Sequence, residues 1–117
     1  MNDITLKANL SVEPNIYYTK NGNVVANFQV IENVFAGYDE NHKRMTKPNY
    51  YSVVMFGEEA EKFGNTHEVG RLYIIKGEMI PNNYEANGQM HYGMKLKAEY
   101  IKPGPPKKNK EMNKKAV

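Results

Sequence analysis

The feature that most constrains this chain is a repeated alternation of apolar and polar residues in short runs, broken at intervals by turn dipeptides. In Ile4-Thr5-Leu6-Lys7-Ala8-Asn9-Leu10 the even positions are apolar and most odd ones polar. Successive side chains leave a strand on opposite faces, so a period of two marks a strand with one face buried. Glu13-Pro14 ends this run. A second strand is predicted from Val24 to Phe35, with Val24, Ala26, Phe28 and Val30 on one face. Asn21-Gly22, just before it, supplies the positive backbone angles of a tight hairpin turn. The polar stretch from Gly37 to Asn49 reads as a loop, and Tyr50 to Phe56, β-branched and aromatic, as a third strand.

One helix is expected, from Glu58 to Phe63, with Gly64, Asn65 and Gly70 stopping it early. A fourth strand follows from Arg71 to Ile80, and Asn87-Gly88 marks another hairpin. Tyr92, Met94, Leu96, Ala98 and Tyr100 alternate along a fifth strand. The expectation is an all-β domain over residues 1–101. Five strands with one short helix between the third and fourth is the element order of an OB barrel, a five-stranded Greek key whose closure removes most exposed edges. An open sandwich of the same strands is the competing architecture.

Charge divides unevenly along the chain. The formal total is +3, yet residues 1–101 hold 10 basic and 12 acidic residues, and residues 102–117 carry +5. The last segment, KPGPPKKNKEMNKKAV, holds three prolines and almost no apolar residues, so a disordered basic tail is expected over 102–117. Such a segment either attracts phosphates without regard to sequence or only solubilises the chain. With no cysteine there is no disulfide framework, thiolate nucleophile or cysteine-based zinc site. Met1-Asn2-Asp3-Ile4 lacks the basic start and apolar stretch of a secretory signal, and no apolar run is long enough to span a bilayer. A cytoplasmic protein without membrane contact is expected.

Catalysis finds little support. His42, His67 and His91 are scattered without metal-ligand spacing, and no nucleophile-elbow, phosphate-loop or zinc-protease motif occurs. Glu58, Glu59 and Glu61 read as the solvated first turn of the helix, where carboxylates favour the dipole. No metal, cofactor or enzymatic activity is expected. The aromatic supply says more: nine tyrosines and four phenylalanines, with no tryptophan. In the third strand Tyr50, Ser52, Val54 and Phe56 share one face, and Tyr51, Val53 and Met55 the other. If the second face packs the barrel, Tyr50 and Phe56 form a platform of the kind that binders of single-stranded nucleic acid use, because every base has a π-face to stack. The competing reading buries both faces, one in the barrel and one under a subunit interface.

The run Tyr50-Tyr51-Ser52-Val53-Val54-Met55-Phe56-Gly57, followed by Glu58-Glu59-Ala60-Glu61, resembles the third strand and helix of bacterial single-stranded DNA-binding proteins. Ala8-Asn9-Leu10, Glu13-Pro14, Asn21-Gly22 and Val25-Ala26-Asn27-Phe28 resemble that family's opening strands in order. Tyr73-Ile74-Ile75-Lys76-Gly77-Glu78 is similar to its fourth strand, and Asn87-Gly88-Gln89 to the turn beyond. The resemblance spans residues 2–101. It implies an OB fold that protects single-stranded DNA in replication, recombination and repair, as a homo-oligomer, either tetramer or dimer. It also implies base stacking on Tyr50, Phe56, Tyr84 and Phe35, with rings smaller than the tryptophans frequent in the family and so weaker stacking at each.

Two departures accompany it. Where the family tends to carry phosphate-binding lysines, this chain has Glu58 and Val69. Phosphate contact is expected instead from Lys7, Lys43, Arg44, Lys47, Arg71, Lys76 and the lysine tail, with Lys43, Arg44 and Lys47 favoured by their place in the long loop. The family's acidic tip, which recruits replication and repair proteins, is replaced by Asn113-Lys114-Lys115-Ala116-Val117. Recruitment by that route is not expected, a pattern that fits a phage, plasmid or mobile-element member. Two alternatives stay open: an OB module that binds RNA, and a primosome-like accessory protein whose barrel contacts other proteins.

Overall fold

Leu6, Ala8 and Leu10 of the first alternating run are buried, Ile4 is half-buried against them, and Val24, Ala26, Phe28 and Val30 from the second are buried too. They meet Val53, Met55, Tyr73, Ile75, Leu96 and Ala98 in one core. The computed structural model describes residues 2–106. Its elements are β1 (Ile4–Leu10), β2 (Asn15–Tyr18), β3 (Val24–Tyr38), β4 (Arg44–Phe56), α1 (Glu58–Thr66), β5 (Leu72–Pro81), β6 (Tyr84–Ala86), β7 (Gln89–His91) and β8 (Met94–Pro103).

The main sheet runs β1-β5-β8-β4-β3-β2, and a further pairing of β1 with β3 closes its first five strands into a barrel. β4 and β8 pair in parallel and the other neighbours antiparallel. This is the expected OB barrel, its helix between the strands expected third and fourth, here β4 and β5. Helix α1 covers the barrel with Ala60 and Phe63, whose ring centroid lies 4.6 Å from that of Phe28 and 5.3 Å from that of Tyr73.

Four boundaries differ from the sequence reading, each for a local reason. Asn15–Tyr18 is a strand, paired with Val24 to Asn27; at four residues it is too short to show a period. The expected loop over 37–49 is largely strand, since β3 runs to Tyr38 and β4 starts at Arg44. This outer part is a two-stranded ribbon solvated on both faces, so it carries no apolar alternation. Pro48 is tolerated there because β8 pairs with β4 only at Val53, Val54 and Met55, leaving the proline nitrogen on an open edge. The helix passes Gly64 to reach Thr66, because the glycine serves packing: a Cβ on it would lie 3.3 Å from Ile16 Cγ1 on β2. Finally, Lys102 and Pro103 belong to β8, and the Gly104 amide donates to the Leu72 carbonyl at 2.8 Å. The expected disordered tail from residue 107 onward lies outside the described residues.

The Asn87-Gly88 turn is as expected, with φ +53° and +77°, the pair of positive angles that a two-residue hairpin requires. At Asn21-Gly22 only Gly22 has a positive φ, +81°, and the turn is wider, closed by the Thr19 amide donating to the Asn23 carbonyl and the Gly22 amide to the Thr19 carbonyl. Among the described residues no helix is long and apolar enough to cross a membrane.

Candidate nucleic-acid interface

In β4 the odd residues Tyr51, Val53 and Met55 turn toward the barrel interior, so Tyr50, Ser52, Val54 and Phe56 turn outward. Antiparallel pairing brings Ile31 opposite Tyr50, Gln29 opposite Ser52, Asn27 opposite Val54 and Val25 opposite Phe56. Phe35 pairs with Thr46 and shares the outward face of the ribbon with Tyr50. Tyr84 stands apart, on the β6–β7 hairpin. All four rings are half-exposed: Tyr50 and Tyr84 at 56%, Phe56 and Phe35 at 49%. Tyr50 and Phe56 are therefore not part of the barrel core, and each offers a face to a planar ligand.

Cations accompany the rings. The Arg44 guanidinium lies 4.9 Å from the Phe35 centroid, and Tyr38 meets the same ring edge-on at 5.3 Å. Lys97 Nζ lies 5.9 Å from the Phe56 centroid. Its position follows from the parallel pairing of Val54 with Lys97, which carries Lys97 and Lys95 onto the outward side beside β4. A groove of about 480 Å3 on this side is lined by the amides of Asn15, Asn27, Gln29 and Asn82, by Ser52 and Lys95, by the Glu13 carboxylate, and by apolar residues. Its amides can donate and accept hydrogen bonds. Asn82 stands two residues before Tyr84, so the base of that hairpin borders the groove. Tyr84 itself stacks on His91, centroids 5.0 Å apart and planes 14° apart, which leaves one face of the tyrosine ring open.

The remaining sequence-predicted cations fall in three places. Lys43 is exposed in the β3–β4 turn beside Arg44. Lys47, paired with Val34, is on the ribbon face opposite the aromatic one. Lys7 and Lys76 lie on the outward side of β1 and β5. Arg71 is half-buried, donating from its guanidinium to Glu68 Oε1 at 3.2 Å and to the Gly104 carbonyl at 3.0 Å. Sequence reasoning missed Tyr38, Lys95 and Lys97. The lysines do alternate with Leu96 and Ala98, but only the long-range pairing of β8 with β4 shows which surface they join.

On the opposite ribbon face, Tyr51 donates its hydroxyl to Glu32 Oε1 at 3.2 Å. Desolvation, and then that hydrogen bond and the Glu32 charge, raise its pKa above the ordinary 10.0. It is a structural tie at the root of the ribbon. Among the described residues no group of three His, Cys, Asp or Glu side chains is placed to hold a metal ion.

The sequence profile of the Single-strand binding protein family matches residues 1–103. The single-stranded DNA-binding protein of Thermus aquaticus is 26% identical over 104 residues, which cover 88% of this chain and 39% of that protein. The single-stranded DNA-binding protein of Bacillus cereus is 29% identical over 103 residues, 86% of this chain and 58% of that protein. The chain thus matches 39% and 58% of the length of these two relatives. The crystal structure of a deletion mutant of the Thermus aquaticus protein superposes with a TM-score of 0.73 at 25% identity, covering 90% of this chain and 51% of that one. A profile match that takes in the whole barrel, on a fold shared with that structure, establishes that the chain belongs to the Single-strand binding protein family.

Proposed function

We propose that this chain binds single-stranded DNA with little regard to sequence and catalyses no reaction. Bases stack on Tyr50, Phe56, Tyr84 and Phe35, while Arg44, Lys95 and Lys97 meet the phosphates from beside the rings. The observation that carries the reading is four half-exposed aromatic rings, two of them with a cation within 6 Å of the ring centroid, around an amide-lined groove. A stacking platform flanked by positive charge accepts any base, because each has a π-face and each nucleotide a phosphate. Lys43 extends this charge at the ribbon tip. Lys7 and Lys76 offer a second positive area on β1 and β5, which a strand wrapped round the barrel would reach.

The same reading assigns the chain to protection of single-stranded DNA in replication, recombination or repair, in the cytoplasm, with residues 1–103 as the binding domain. Self-association has support in β1: beyond its pairing with β5, only Asn9 and Leu10 pair with β3, so the edge from Ile4 to Ala8 is open. An open edge is a template for a second copy of the chain.

The test is a competition measured by fluorescence anisotropy, in which a labelled oligo-dT is displaced by unlabelled oligo-dT, oligo-U or a duplex of equal charge. The reading expects the single-stranded DNA to compete at least tenfold better than the duplex. Equal competition by single strand and duplex contradicts it, and preference for oligo-U reassigns the barrel to RNA.

A further inference from the structure

We propose that Tyr17 is an additional base-stacking position, which extends the platform from Phe56 across β3 to the edge strand β2. This deepens the single-stranded DNA reading above and rests on it. Tyr17 pairs with Val25, and Val25 pairs with Phe56, so the three side chains form one row across three strands.

Alternation fixes the side on which the row lies. Ile16 packs against the core, and Val24 and Ala26 belong to it, so Tyr17 and Val25 face outward, as Phe56 does. Neighbouring strands are about 4.8 Å apart, so Tyr17 and Phe56 leave backbones about 10 Å apart. Val25 sits between them at 3% exposure although it is not a member of the core cluster. A valine on the solvent side of a sheet is covered only by its neighbours, and its two cross-strand partners are these rings. Tyr17–Val25–Phe56 is therefore a continuous apolar strip with an aromatic ring at each end, and Tyr17 is 45% exposed.

The chemistry around the strip selects its ligand. The adjacent row is Asn15, Asn27, Val54 and Lys97, which places two amides and an ammonium along one side. A flat apolar strip bordered by hydrogen-bonding groups and a cation suits a planar base joined to a phosphate. It is continuous with the platform at Phe56, so a strand lying along β4 can turn there and cross toward β2. Tyr18 supplies the contrast. It is more exposed, at 65%, but pairs with Val24 and lies on the other side of β2.

The experiment uses the full chain and an oligo-dT in which scattered thymidines are replaced by 5-iodouridine, which photocrosslinks to a stacked aromatic ring. Peptide mapping is expected to find crosslinks at Tyr17 as well as at Tyr50. In parallel, Tyr17→Leu keeps apolar cover over Val25 but removes the ring, and is expected to weaken oligo-dT binding about fivefold or more. Tyr18→Leu is expected to leave binding unchanged, and thermal melts establish that both variants fold. Crosslinks at Tyr50 but none at Tyr17, with the affinity of Tyr17→Leu unchanged, overturn the proposal and leave the platform standing. If Tyr17→Leu fails to fold, the crosslink map of the wild-type chain decides. Failure of the wild-type chain to bind oligo-dT at all overturns this proposal and the wider reading together.

Discussion

Tyr50 and Phe56 touch water over about half their surface, and Phe56 also covers Val25. Tyr50→Ala and Phe56→Leu, the second keeping apolar cover over Val25, are expected each to cost about 1–3 kcal/mol of single-stranded DNA affinity by anisotropy titration. Their thermal midpoints should stay close to that of the parent. A large fall in stability would mean that the rings hold the sheet together instead of serving a ligand. His67 presents the opposite case, a side chain bound within the fold. Its Nδ1 lies 2.8 Å from the Gly64 carbonyl and its Nε2 2.5 Å from Glu13 Oε2. Both partners accept hydrogen bonds, so both ring nitrogens donate only when the imidazole is protonated. Burial pushes His67 toward its neutral form, but the hydrogen bonds to Glu13 and Gly64 and the Glu13 charge outweigh it, holding its pKa above 6.5. Because the folded-state pKa is the higher one, this pair contributes stability fully below pH 6.5 and loses it as pH rises through the folded value. Glu13 is largely exposed, so the contribution should be below about 1 kcal/mol. Urea melts of the parent and His67→Gln should differ more at pH 5.5 than at pH 9; a difference independent of pH would contradict the assignment.

At the level of elements, Gly77 shows what the barrel demands of one strand. It sits where the β5–β8 register shifts, and a Cβ there would lie 2.0 Å from the Lys97 carbonyl oxygen. Gly77→Ala must push two backbones apart and should cost about 3 kcal/mol, read as a lowered urea midpoint. An unchanged midpoint would mean that the strands approach less closely than this. How much was legible in the sequence follows the same local physics. Strands that bury one face announced themselves unevenly: of the five alternating residues from Tyr92 to Tyr100 only Leu96 and Ala98 are buried, and β4 offered two candidate faces. In β1 and β3 the inward positions were readable from alternation alone. The outer half of the β3–β4 ribbon was not, because with both faces in water nothing selects an apolar residue at alternate positions. β2 was hidden by its length. The face bearing Tyr50 and Phe56 could be read from β4 by parity, and the family resemblance supplied Tyr84 and Phe35. The cations beside the rings were harder. Lys97 reaches Phe56 only because β8 pairs in parallel with β4, a contact between residues more than forty apart that no local pattern encodes. Arg71, which looks like any basic residue in the sequence, is taken up by Glu68 and Gly104.

At the scale of the whole molecule, the two ends of β1 differ. Asn9 and Leu10 close the barrel against β3, while Ile4 to Ala8 leave an open edge, and their outward residues include Thr5 and Lys7. Sedimentation velocity at micromolar concentration is expected to show a species of two or four times 13.4 kDa. A lone monomer would mean that the edge is protected by its charge alone. The most direct measurement of stacking is intrinsic tyrosine fluorescence, because the chain has nine tyrosines and no tryptophan to mask them. The full chain is titrated with oligo-dT and, separately, with a duplex of equal charge, each at two salt concentrations. Stacking on the outward rings predicts strong quenching by the single strand and little by the duplex, with a salt slope of about −0.7 per phosphate neutralised. Equal binding of both without quenching, abolished by salt, would mean that lysines alone hold the DNA and that the rings serve some other partner.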